Sequence, residues 1–148
     1  MFIFNISNCF KGGNIMYLIV LNKCYGGYGL SEEAYKYLNL DWDNFGYKYE
    51  DDRTNVRLIN VVLELGDKAN ELCSKLKIFK VYSYNLDCEI YDDHGYEYIR
   101  SVPIEELTES EIKKLKNDKF QIFCLQNEML CSYNKIKRMS DSIKNIFN

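Results

Sequence analysis

The stretch MYLIVLNKCYGGYGLSEEAYKYL, residues 16–38, constrains this chain more than any other. It opens on a compact apolar run rich in strand-forming residues. It then passes three glycines and reaches a helix start. Ser31 stands where a side chain caps orphan amides, Glu32 and Glu33 follow at the positive end of the helix dipole, and Leu30 is spaced to staple onto Tyr35. A strand that turns through glycine into a capped helix commits the fold to both element types.

The rest of the chain extends that pattern. Residues 40–52, LDWDNFGYKYEDD, mix acids and aromatics without periodicity and read as an ordered loop in which Trp42, Phe45, Tyr47 and Tyr49 cover a core edge. TNVRLINVVLELG places Val56, Ile59, Val62 and Leu63 on one helix face, with Gly66 as the stop, and a helical turn is expected in DKANELC. Three strands are expected between 75 and 100, in KLKIFKVY, LDCEIY and GYEYIR, the last two pairing as a hairpin about Asp93, His94 and Gly95. After Pro103 a polar helix begins, capped by Thr108 or Ser110. KFQIFCL reads as a further strand. From about Gln126, Met129, Tyr133, Ile136, Met139, Ile143 and Ile146 recur at helical spacing, which predicts a long amphipathic C-terminal helix packed on the sheet. The expected fold is α+β: a single domain, 1–148, with a small mixed sheet, a helical crossover after the first strand, and a three-strand antiparallel portion. Within it, 1–15 form an N-terminal extension, 16–102 the core and 103–148 a C-terminal helical addition, and both Met1 and Met16 are candidate starts.

At 148 residues, 47% of them hydrophobic and 28% charged, the chain suits one soluble globular domain. A net charge of −3 with one histidine supplies no global field for nucleic acid, although the C-terminal helix carries Lys135, Lys137, Arg138 and Lys144. No apolar run reaches the ~18 residues of a membrane span. The six cysteines, Cys9, Cys24, Cys73, Cys88, Cys124 and Cys131, include no CxxC, so free thiols in a reducing compartment are expected rather than zinc ligands or disulfides. Single proline usage and an excess of Tyr, Asn, Lys and Ile fit AT-rich coding, while 13 tyrosines also offer material for a recognition surface.

The glycine loop is the first candidate site. It lacks the lysine and hydroxyl residue of a P-loop and the spacing of GxGxxG, and Glu32 and Glu33 already occupy the helix start, which disfavours an incoming phosphate. A turn or packing role competes with a small-molecule site made by Tyr25, Gly26, Gly27, Tyr28 and Gly29, with Asp52 and Arg53 as polar partners, suited to a neutral or cationic group. His94 sits beside Asp92 and Asp93 at a hairpin tip and reads as a solvated turn residue. Asp51, Asp52, Asp92 and Asp93 have no metal-ligand spacing, and the adjacent acids Glu105 and Glu106 read as a solvated face. Neither a metal nor a cofactor is expected, and no catalytic residue is assigned.

NKCYGGYGLSEEA, followed by YEDDR, a helix ending in ELG, a KLKI strand and an EIYDDHGYEYI hairpin, resembles a group of small uncharacterised proteins of bacteriophages and large DNA viruses. The resemblance spans roughly 16–100, leaving 1–15 and about 103–148 as additions. It implies a viral origin, a host cytoplasmic setting and a place for virion association, and it carries no activity. The leading expectation is a non-enzymatic accessory protein that binds a protein partner or small ligand. The alternatives are a small enzyme or binder for a nucleotide-like metabolite at the glycine loop, and a homo-oligomer built through the C-terminal helix.

Overall fold

A computed structural model describes residues 15–47, 52–83 and 89–147, with backbone alone for part of the last segment. Residues 1–14 of the N-terminal extension, Tyr49, Asp51 and the first half of LDCEIY therefore lie outside the described residues. Strand β1 (Ile15–Asn22) leads through helices α1 (Glu32–Tyr37) and α2 (Val56–Leu65) and a 3-10 turn (Gly66–Ala69) into β2 (Leu76–Ser83). The short strands β3 (Tyr91–Asp93), β4 (Tyr96–Tyr98) and β5 (Ile104–Glu106) follow, then α3 (Glu109–Asn117) and α4 (Phe120–Phe147). The α+β class is as expected. No described helix is long and apolar enough to cross a membrane.

The sheet differs from the expectation. Its order is β1-β2-β5 and both pairings are antiparallel, so it is not mixed, and the helical connection after β1 joins antiparallel neighbours rather than crossing to a parallel strand. The physical reason is visible in β1. Met16, Leu18 and Val20 join the core under the helices, while Tyr17, Ile19 and Leu21 join a second apolar cluster with Phe79, Val81 and Ile99. A strand buried on both faces carries a continuous apolar run, which is also the signature of a parallel strand.

The hairpin forms where expected, with β3 and β4 paired about His94 and Gly95 at φ 52° and 94°, the signs of the tight turn that suits strand twist. It is a separate two-stranded sheet, however, and β2 pairs with β1 and β5 instead. Strand β5 escaped the sequence reading because Glu105 and Glu106 look like helix-start acids. In the fold Glu105 lies opposite Lys80 and forms an ion pair with it at 3.4 Å.

Caps fall as read: Ser31 accepts the Ala34 amide, Thr108 and Glu111 form a reciprocal capping box, and Gly66 ends α2. KFQIFCL is not a strand but the start of α4, because Ile122, Leu125 and Gln126 lie three and four apart and are all buried. The C-terminal helix is corrected in its packing too. Its described buried residues cluster at its start, while Met139, Ile143 and Ile146 are exposed, so the stripe expected to lie on the sheet does not cover it there.

As an edge strand, β1 presents outward backbone groups that would otherwise invite another strand. Gln126 reaches across from α4, its Oε1 accepting the Leu18 amide at 2.9 Å and its Nε2 donating to the Leu18 carbonyl at 3.0 Å. The Val20 amide donates to the Arg53 carbonyl at 3.0 Å, and the Asn22 amide to Glu97 Oε1 at 2.6 Å. The edge is closed by side chains and loop rather than by a strand.

Candidate functional site

The glycine loop leaves β1 at Asn22 and is clasped by the hairpin tip. Asn22 Nδ2 donates to the Gly95 carbonyl at 2.7 Å, and the Gly26 amide donates to the His94 carbonyl at 3.1 Å. A Cβ on Gly95 would overlap the Gly27 amide nitrogen, so glycine is required there both for its positive φ and for the approach of two backbones. On the other side Gly29 packs on the turn before β2, its carbonyl accepting from Ser74 Oγ at 2.7 Å and the Glu71 amide at 3.2 Å.

Beneath the loop lies a buried polar cluster. Arg53 donates to Glu97 Oε1 at 2.5 Å, both side chains about 5% exposed, and its guanidinium stacks over the Tyr28 ring, 3.6 Å from the centroid. Lys23 donates to the Glu97 carbonyl at 2.6 Å and lies over the rings of Tyr96 and Phe79. Burial lowers the Lys23 pKa, with the charges of Glu97 and Glu106 opposing it. One glutamate thus ties the hairpin to β1 and to the segment entering α2.

The expected site residues are not gathered in one pocket. Tyr28 and Arg53 are buried together, whereas Tyr25 is exposed. Asp52 is exposed and accepts from Asn55, the N-cap of α2, at 3.2 Å, which makes it part of a helix start. Gly26, Gly27 and Gly29 serve packing and turning. Beside the loop lies a shallow open groove of about 570 Å³ lined by Cys24, Tyr25, Asp67, Asn70, Leu72, Cys73, Ser74 and Lys75. It shares only Tyr25 with the expected set. Among the described residues no three His, Cys, Asp or Glu side chains converge as a metal site would need. His94 is exposed, its Nδ1 2.7 Å from Asp93 Oδ1.

What the sequence reading missed is the aromatic surface on the hairpin. Strand alternation turns Glu97 inward and its neighbours outward. Tyr91 and Tyr98 stand opposite each other and stack at 5.8 Å between centroids, with Arg100 over both rings and donating to the Tyr98 hydroxyl at 2.7 Å. Tyr96 stacks on Tyr25 at 5.5 Å, joining the glycine loop to this face. The period-two spacing Tyr96-Glu97-Tyr98 was the available signal. Compared with protein-family models, curated proteins and solved structures, the chain matches none.

Proposed function

We propose that this is a virus-encoded, non-enzymatic accessory protein of the host cytoplasm that binds a protein partner through the outer hairpin face. The viral assignment rests on the motif resemblance described above. The observation that carries the binding reading is the paired stacking of Tyr25 on Tyr96 and Tyr91 on Tyr98, on a hairpin whose inner face is locked by Glu97. Stacked tyrosines offer large, rigid contact area with polar tips, at little conformational cost on binding. The acids Asp92 and Asp93 beside them disfavour a nucleic-acid backbone. The nucleotide-like reading loses its support because Asp52 and Arg53 do not face the groove beside Tyr25.

A second reading, self-association, draws on Met139, Ile143 and Ile146, which are exposed and spaced four and three apart, the repeat of a helix-helix seam. One experiment separates the two. A photo-cross-linking phenylalanine analogue replaces Tyr25, or Tyr37 as an exposed control, in producing cells. The partner reading expects a discrete adduct at Tyr25 only, lost when Tyr96→Ser is added with the fold retained by circular dichroism. Equal or absent adducts at both positions would overturn it. Native mass measurement of the same samples reads self-association, expected to vanish with Ile143→Asp.

A further inference from the structure

We propose that Cys24 and Cys73 form a dithiol modification site, which a low-molecular-weight disulfide of the glutathione type converts to an intramolecular disulfide. The two residues are 49 apart in sequence, yet Cys24 Sγ donates to the Cys73 carbonyl oxygen at 2.7 Å. By covalent geometry this puts the sulfur within about 5 Å of Cys73 Cα. A Cβ built on Gly26 would stand 2.9 Å from the Cys73 Cβ, so the Cys73 side chain starts out against the same loop. The pairing of β1 with β2 explains the approach. Their register ends at Asn22 opposite Leu76 and continues through the Lys23 amide, which donates to the Lys75 carbonyl at 2.8 Å. Two chain segments leaving adjacent strands at that point bring residues 24 and 73 diagonally together, so the bond needs only the two side chains to turn toward each other.

Both thiols are free and both line the open groove, Cys73 exposed and Cys24 half-buried. That asymmetry sets the order of events. The Cys73 thiolate attacks the incoming disulfide, forming a mixed disulfide and releasing one thiol; the Cys24 thiolate then attacks the Cys73 sulfur and releases the second thiol. Two protein thiols are oxidised and one small disulfide is reduced to two thiols. Of the neighbours, Lys75 brings positive charge to the groove, while Asp67 lines it and Glu71 accepts the Cys73 amide at 3.0 Å. The product would staple the glycine loop, and through Gly26 the hairpin tip, to the start of β2.

The test treats the full chain with glutathione disulfide, natively and in guanidinium chloride, blocks residual thiols and maps tryptic peptides by mass spectrometry. The expected product joins Cys24–Lys36 to Ala69–Lys75, forms natively but not selectively in denaturant, and disappears with dithiothreitol. With Cys24→Ser, Cys73 is expected to stop at the glutathione adduct. The proposal is overturned if native Cys73 stays glutathionylated in the unsubstituted chain, or if the joined peptides are no more abundant natively than in denaturant.

Discussion

At the scale of single residues, Glu97 has no substitute. It receives the Arg53 guanidinium and the Asn22 amide on one oxygen, and its carbonyl receives Lys23. Removing one member of a buried pair strands the other charge away from water, which costs about 3–5 kcal/mol, whereas removing both with apolar replacements of similar size costs much less. Glu97→Ala is therefore expected to lower the urea unfolding free energy by about 3–5 kcal/mol. The double variant Glu97→Met, Arg53→Met should recover much of that loss. Equal losses in the single and double variants would show that the stranded Arg53 charge is not the source of the cost.

At the scale of elements, the hydrogen bonds between β1 and α4 come from one side-chain amide, Gln126, beside the apolar packing of Ile122 and Leu125. Without the Gln126 side chain, the Leu18 amide and carbonyl lose their partners at a buried edge, each worth about 1–3 kcal/mol when left unmet. Gln126→Ala should destabilise the fold by roughly 2–4 kcal/mol, measured by urea titration, and raise hydrogen exchange at Leu18 before that at Ile19. A uniform rise along β1 would contradict this. Elements with local signals were legible in the sequence: the Ser31 and Thr108 caps, the Gly66 stop, and the Asp93-His94-Gly95 turn each depend on residues within a few positions. Strand partners were not. Nothing near Lys80 announces that it will lie beside Glu105 and Glu111, and a seven-residue run such as KFQIFCL suits either period until its tertiary surroundings choose. The site was half legible for the same reason. The glycine loop stood out locally, but the surface it contacts is brought to it by residues some 70 positions away.

For the whole molecule, charge sets the pH range of stability. Burial is the largest influence on Glu111 and pushes its pKa up, but hydrogen bonds from Lys80 and Thr108 outweigh it, and the net shift is below the ordinary 4.5. Burial likewise pulls Lys80 down, and Glu111 and Glu105 more than restore it, so it ends above 10.5. The Gly46 amide leads those that hold Asp43 low, and Lys119 does so for Glu64. Lowered carboxylates contribute stability that is present above their unfolded values and lost as pH falls through the folded ones; the raised lysines contribute below 10.5 and fade above it. The urea midpoint should thus hold near neutrality and fall below about pH 4.5, with a shallower fall in Glu111→Gln. An unchanged slope in that variant would remove Glu111 from the account. The order of synthesis adds a different constraint. Leu18 and Gln126 are 108 residues apart, so at about 5–20 residues per second the ribosome makes β1 roughly 5–20 s before the side chain that closes its edge. Throughout that interval the Leu18 stretch of the edge is open to any other strand nearby, even after Arg53 and Glu97 have met the Val20 and Asn22 amides. The demand for chaperones should therefore peak before α4 emerges, and stop codons placed just ahead of Gln126 should yield aggregates rather than a smaller folded protein.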